Sequence, residues 1–298
     1  MKSKIVIGTW PLSGDYGNVT LKQVQSVLEY SYDVGFREYD TAPNYGNGFM
    51  EFCLGKVFKN NYDVIINTKV GNLPFHGKSF HIVDLKKSFN ESLNRLQRNS
   101  INTLFLHNPR TDVVNYADVV DFLDKLKKDG LIMLTGLSKA KGFDYQNFVD
   151  LQQFDVIQDD ANLLYLEVIK GPKRARPTFM ARSPLASGLL SDKITHDTVF
   201  SKDDHRSLWL KGERLLSLLR RVETIKKNTN LSLPRLAMRF LLHQENIDKI
   251  IFGVKKISHI DDIVQSIAEG PLESSLVEKL IKLHDDDFSL KNEKQYSY

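Results

Sequence analysis

The sequence predicts an α/β protein of the (β/α)8, or TIM, barrel type, on three observations. Eight short apolar runs alternate with amphipathic stretches along the 298 residues. Most runs carry apolar residues at consecutive positions, as parallel strands buried on both faces do. No linker-like segment divides the chain, and about 250 residues suffice for one such barrel. Residues 1–298 are therefore expected to form one domain, with the C-terminal stretch from about 271 to 298 packing on or near the rim.

The first run, KIVIG (4–8), leads into Gly8-Thr9-Trp10-Pro11. A doubly wound dinucleotide-binding sheet would want G-x-G-x-x-G there, so that competitor loses its main support. A helix follows at 21–35, with Val24, Val27, Leu28 and Tyr32 at helical spacing and Gly35 as its stop. REYD (37–40) and VIINTKV (64–70) read as the next two strands. The helix at 84–96 repeats the spacing with Leu85, Phe89, Leu93 and Leu96. TLFLH (103–107) precedes a helix at 116–130 that ends on Gly130, a common residue just past a helix end. IMLTGLS (132–138), DVIQ (155–158) and TFMARS (178–183) are strands five to seven, and the helical pattern near 160–170 is weak. The stretch 191–212 lacks periodicity and reads as an ordered excursion after strand seven. The helix at 233–244 carries Pro234 in its first turn, where a missing N–H costs nothing, and KIIFGV (249–254) is the eighth strand.

Composition narrows the function. Hydrophobic residues make up 41% and charged residues 26%, which suits an ordinary globular protein. The only cysteine, Cys53, excludes an internal disulfide framework and a multi-cysteine zinc site. The histidines show no H-E-x-x-H pairing, and no metal is expected. The net charge of +4 is spread along the chain, unlike the dense basic patch of a nucleic-acid binder. No apolar run reaches the ~18 residues of a membrane span, and no secretory signal is apparent, so the cytoplasm is the expected compartment. Gly48 and Gly55-Lys56 have six residues between them where a phosphate loop needs four, so that motif fails.

A barrel of this type carries its chemistry at the C-terminal ends of its strands. Asp40 stands there after strand two with Tyr45 in the loop beyond, Lys69 near the end of strand three, and His107 at the end of strand four. A strand-end Asp is more often a helix cap, a Tyr more often packing, and a Lys more often solvated. The four converging on one rim is what points to chemistry.

The local sequences GFREYDTAPNYGNG (35–48), NTKVG (67–71), LFLHNP (104–109), GLS (136–138) and ARSPLASGLL (181–190) resemble the aldo-keto reductase superfamily. The resemblance runs in order along nearly the whole chain and implies the same barrel fold. It implies that Asp40, Tyr45, Lys69 and His107 form a catalytic tetrad for reducing a carbonyl with a nicotinamide cofactor. A free phenol, with a pKa near 10, is a reluctant acid. In that reading Lys69 lowers the pKa of Tyr45, Asp40 holds Lys69, and His107 orients the carbonyl.

By the same resemblance Ser138 and Gln158 hold the nicotinamide carboxamide, although Lys139 stands where relatives place an Asn. Ser183, Leu185 and Ser187 wrap the pyrophosphate, and Gly8, Thr9, Trp10, Asp40 and Gly253 lie beside the cofactor. Arg182 replaces the aromatic residue that stacks on nicotinamide in many relatives, and its charge is expected to disfavour the oxidised cofactor. Lys255, helped by Lys256, is expected to meet the 2′-phosphate, making NADPH the expected cofactor ahead of NADH. Asp262 lies near the adenine, but Ile263 stands where an Asn is usual. Trp10, Tyr45, His107 and Asn108 are expected to face the substrate, with loops 72–80 and 108–115 and the tail 291–298 choosing it. The mixture of Trp10, Phe75, His76 and Arg110 there suits a sugar or sugar derivative, although a simple aldehyde stays open. Beyond that small carbonyl substrate, the expected associations are at most weak contacts with copies of the same chain. The alternatives are a non-catalytic NADPH-binding regulatory subunit, which an intact tetrad argues against, and a Schiff-base enzyme on Lys69, which Asp40 argues against.

Overall fold

The computed structural model of the protein describes all residues except 111–114, 141–144, 146–149, 171–176 and 291–298. Eight parallel strands close into a barrel: β1 (Ile5–Gly8), β2 (Glu38–Asp40), β3 (Ile65–Val70), β4 (Ile101–His107), β5 (Ile132–Ser138), β6 (Val156–Asp160), β7 (Thr178–Arg182) and β8 (Lys249–Gly253). Each strand pairs with its neighbours in sequence, and β1 pairs with β8 to complete the ring. Each run expected from the sequence becomes a strand. Two of them extend further than their hydrophobicity predicts: β4 begins at Ile101, and β6 continues through Asp159 to Asp160.

Around the barrel lie α1 (Leu21–Asp33), α2 (Phe49–Phe58), α3 (Ile82–Leu96), α4 (Tyr116–Lys128), α5 (Glu167–Lys170), α6 (Gly212–Lys227), α7 (Leu233–His243), α8 (Ile257–Glu269) and α9 (Ser274–Asp285). Thr20 caps α1, its hydroxyl accepting from the Gln23 N–H at 3.2 Å. The weak pattern near 160–170 becomes the single turn α5. The excursion 191–212 is turns and one short 3-10 segment, His205–Leu208, with Asp204 accepting from the Arg206 N–H at 2.9 Å. Loop 72–78 closes on itself as a small antiparallel hairpin over the β3 end of the barrel.

Two apolar clusters hold this together. The larger one packs helices on the outer face of the sheet. The smaller one, Val6, Phe105, Val156, Met180 and Ile251, contains only strand residues and fills the barrel interior. Gly136 makes room for it, since a Cβ there would lie 2.3 Å from the Phe105 ring. The C-terminal segment as far as Leu290 packs against α6, with Phe288 buried and Arg221 paired to Asp287 at 3.1 Å. Of the stretch from about 271 to 298 expected on or near the rim, residues 291–298 fall outside the described residues. No helix among them is long and apolar enough to cross a membrane.

Candidate active site

The barrel register assembles the site. His107, Ser138 and Gln158 are partners across β4, β5 and β6 and so form one row, while Asp160 pairs with Arg182 one level higher. Asp40 ends β2, and Lys69 lies near the end of β3. The Lys69 ammonium donates to Asp40 Oδ1 at 2.7 Å, to the Thr41 carbonyl at 2.7 Å and to the Tyr45 hydroxyl at 3.3 Å. Gln158 Nε2 donates to the other Asp40 oxygen at 2.9 Å, and Ser138 Oγ donates to Gln158 Oε1 at 3.0 Å. Arg182 Nη1 donates to Ser138 Oγ at 2.9 Å. One chain of hydrogen bonds thus links Arg182, Ser138, Gln158, Asp40, Lys69 and Tyr45.

Electrostatics follow from this burial. Lys69 is 1% exposed and Asp40 4% exposed, so water does little to screen the pair. Burial pulls the Lys69 ammonium below its ordinary value, and the Asp40 carboxylate opposes that pull. Burial, aided by Asp40, pushes the Tyr45 phenol well above its ordinary value, against a smaller pull from Arg182. The expectation that Lys69 lowers the phenol is therefore corrected. The ammonium sits closer to Asp40, at 2.7 Å, than to Tyr45, at 3.3 Å, and burial is the largest influence on the hydroxyl. Tyr45 is held as a protonated phenol. The His107 ring packs edge-on to Tyr45 at 6.1 Å, and its buried Nδ1 has no partner. Burial, with Lys69, Arg182 and Lys78 adding to it, drives His107 well below its ordinary value, so the imidazole is neutral. A protonated hydroxyl and a neutral imidazole side by side can donate a proton to, and orient, a carbonyl oxygen.

Trp10 covers the mouth, its ring nearly parallel to Tyr45 at 6.0 Å and its Nε1 donating to Asp15 at 2.6 Å. Thr9 is buried, and its hydroxyl donates to the Asp40 carbonyl at 2.9 Å, which makes it a structural support. Gly8 and Gly253 are register partners in β1 and β8, and close packing explains both. A Cβ on Gly8 would meet Ile251 at 2.8 Å, and one on Gly253 would meet Pro11 at 2.8 Å.

Arg182 has each N–H edge engaged: Nε on Asp160 at 2.9 Å, Nη1 on Asn108 Oδ1 and Ser138, and Nη2 on the Lys139 carbonyl at 2.7 Å. Burial opposes its charge, but Asp160 and Asp159 outweigh burial and hold the guanidinium above its ordinary value. These two carboxylates are what the sequence reading missed. Asp159 pairs with Lys139 at 2.6 Å and Asp160 with Arg182. The signal was available: two acids continue an apolar strand, and two basic residues end its neighbours.

Beyond β7, Ser183, Ala186 and Ser187 adopt left-handed backbone (φ 56, 48 and 52°), giving a tight turn of small residues around Leu185. Lys255, expected to meet the 2′-phosphate, bridges two loops in the resting structure. Its ammonium donates to the carbonyls of Tyr16 and Gly17 at 2.5 and 3.0 Å. Lys256 is exposed at the start of α8, as is Asp262 one turn on, and Ile263 is buried in the core. Burial, reinforced by Lys193, lowers His259, with Lys256 and Lys255 adding to the effect and Asp262 opposing it. Lys193 is therefore a further cation at this end of the site.

The Aldo/keto reductase family model matches residues 4–285. The aldo-keto reductase YhdN of Bacillus subtilis is 27% identical over 279 residues, covering 87% of this chain and 83% of its own. L-galactose dehydrogenase of Arabidopsis thaliana is 25% identical over 284 residues, covering 90% and 85%. Among solved structures, the glycerol dehydrogenase of Gluconobacter oxydans superposes with a TM-score of 0.79 at 22% identity, covering 99% of this chain and 94% of that one, which supports the fold. With barrel and family model in agreement over nearly its whole length, the chain belongs to the aldo/keto reductase family and is an NAD(P)H-dependent oxidoreductase.

Proposed function

We propose that the enzyme uses NADPH to reduce an aldehyde or ketone on a hydroxylated, sugar-like compound, with Tyr45 as the proton donor. The observation that carries this reading is the buried phenol, kept protonated and held by Lys69 at 3.3 Å next to a neutral His107. Hydride arriving at a carbonyl carbon leaves an alkoxide that needs a proton. Tyr45 donates it, Lys69 passes its positive field to the phenolate that forms, and Asp40 and Gln158 keep Lys69 in place. His107 positions the carbonyl oxygen.

The residues fit a nicotinamide dinucleotide. Arg182 has its edges engaged, which leaves its faces for a planar ring. The left-handed turn at Ser183, Ala186 and Ser187 brings backbone close to a diphosphate without bulky side chains. Lys193, Lys255 and Lys256 make the far end positive, as a 2′-phosphate requires. The cofactor, when bound, supplies the hydride. The sugar assignment draws on Trp10 and the exposed Phe75 ring beside polar rim groups, and on the likeness to a galactose dehydrogenase.

The test is NADPH and NADH consumption against aldoses, polyol-derived ketones and simple aldehydes. We expect NADPH-linked reduction, and a fall in turnover of roughly 10²-fold or more in Tyr45→Phe, with NADPH binding retained. NADPH binding without turnover of any carbonyl would favour a regulatory subunit. A Tyr45→Phe enzyme that keeps its rate would remove Tyr45 from the mechanism.

A further inference from the structure

Two cations at the rim, Lys78 and Arg110, have no part in the hydrogen-bonded chain from Arg182 to Tyr45. Lys78 closes the hairpin that follows β3, and its ammonium donates to the Asn108 carbonyl at 3.0 Å. Asn108 is the residue directly after His107. Its backbone is left-handed (φ 53°), and its side chain accepts from Arg182 at 3.2 Å. Asn108 therefore ties Lys78 to the mouth of the site, near enough for the Lys78 charge to be felt at His107. Arg110, two residues further on, is exposed and adds a second positive charge close to Lys78.

Among the described residues neither cation has a carboxylate within ion-pair distance. Nearby acids are otherwise engaged: Asp84 accepts from Ser79 at 2.5 Å, and Asp160 is taken by Arg182. Partial desolvation and Arg110 hold the Lys78 ammonium below its ordinary value, so the two charges disfavour each other as they stand. Two like charges held together at a reaction mouth, with no counter-ion among the described residues, are stabilised by an anion placed between them.

The barrel order says which molecule carries that anion. β3 and β4 are neighbours, and β7 and β8 lie on the opposite side of the ring. The turn at 183–187 and the lysines at 255 and 256 belong to that opposite side. The cofactor phosphates therefore have their own end, and the Lys78–Arg110 side is left to the substrate.

We infer that the substrate carries an anionic group, a phosphate or a carboxylate, several bonds from its reacting carbonyl, and that Lys78 and Arg110 receive it. This rests on the reductase reading and narrows it from a hydroxylated carbonyl compound to an acidic one. Phe75 stands exposed at the tip of the same hairpin. Its strained left-handed backbone (φ 62°) is pinned by an N–H donated to Asn47 Oδ1 at 3.0 Å.

The experiment compares D-glyceraldehyde 3-phosphate with D-glyceraldehyde, at saturating NADPH, in the wild type and in Lys78→Gln, Arg110→Gln and Arg110→Lys. The wild type should favour the phosphorylated aldehyde in kcat/KM by about 10-fold or more. Each Gln variant should cut that ratio by about the same factor, and Arg110→Lys should largely restore it. The preference should also shrink at high salt. A ratio near one in the wild type, or a ratio unmoved by both Gln variants, overturns the inference while leaving the reductase reading intact. If neither aldehyde is reduced, the reductase reading is what fails. Calorimetric titration of NADPH-loaded protein with 3-phosphoglycerate then decides the anion site. Binding weakened about 10-fold in the Gln variants supports it, and no binding, or equal binding in all variants, overturns it.

Discussion

The two ends of the rim are built differently. On the β2–β6 side, Asp40, Lys69, Gln158, Ser138 and His107 stand on strands, and strand register fixes their levels. On the β7–β8 side, the groups that would meet a dinucleotide's phosphates stand on loops, and the loops hold one another. Tyr16 bridges Asp204, His205 N–H donates to the Asp15 carbonyl at 2.9 Å, and Lys255 donates to the carbonyls of Tyr16 and Gly17. The Arg206 guanidinium lies over the Tyr16 ring at 4.9 Å. Strand ends give chemistry its fixed geometry, at the cost of burying charge. Loop ends can exchange internal hydrogen bonds for ligand contacts, so their resting geometry reports what they give up on binding.

The sharpest way to break the rigid end is to remove its counter-charge. Asp40→Asn leaves the Lys69 ammonium buried beside a neutral amide. Breaking one partner of a buried pair costs roughly 3–5 kcal/mol, and urea unfolding at pH 7 should show a loss of that order. Because burial already pulls Lys69 down, the variant can shed the proton. Its folded lysine would then bind fewer protons than the unfolded one, so the deficit should shrink as pH rises toward 10. A loss that is small and flat with pH would mean the pair is not buried as described.

The same contrast explains what could be read in advance. Most of the eight strands were legible because both their faces are buried, which leaves a largely apolar run. Asp40, Lys69 and His107 could be placed because a strand end fixes position from sequence alone, and Tyr45 because it lies in the short loop just beyond one. What escaped was partnership. Acids after β6 and bases at the ends of its neighbours were visible, but their exact pairing was not, nor that Glu51, fully buried in α2, would accept from Thr68 at 2.6 Å and from Arg95 at 2.8 Å. Such pairs join residues of different elements, and the twist and register of the barrel decide them. The resting contacts of Lys255 were hidden for the opposite reason. Its position was legible, but a long flexible side chain takes whichever carbonyl its loop offers.

A second probe of the rigid end is pH. His107 is held well below its ordinary value, so between about pH 6.5 and 5 the unfolded chain takes up a proton that the folded chain refuses. Stability should therefore fall as pH drops through that window, by at most about 1.4 kcal/mol per pH unit from this residue. His259 and His284, also lowered, add to the slope. His107→Gln should flatten part of it in urea titrations at pH 7, 6 and 5. An unchanged slope would mean that His107 is solvated and titrates normally in the folded state.

The smallest effect belongs to the loop end, and it tests whether that end is adaptable at all. In the resting structure Lys255 ties two loops together through the carbonyls of Tyr16 and Gly17. If the lysine turns to a 2′-phosphate, it exchanges two neutral acceptors for a charged one. A charge-assisted hydrogen bond contributes roughly 1.5–3 kcal/mol, and the contacts given up to make it reduce that gain. Lys255→Gln should thus weaken NADPH by no more than about 10-fold and NADH by less, with the difference fading as salt rises. Lys256→Gln, which removes an exposed charge without a loop contact to give up, should weaken NADPH by a comparable factor while leaving NADH alone. Fluorescence titration of both cofactors, following Trp10, separates the cases. Equal weakening of NADPH and NADH by Lys255→Gln would make that lysine a clasp between loops, and the contrast between a fixed and an adaptable end would then rest on Lys256 and Lys193 alone.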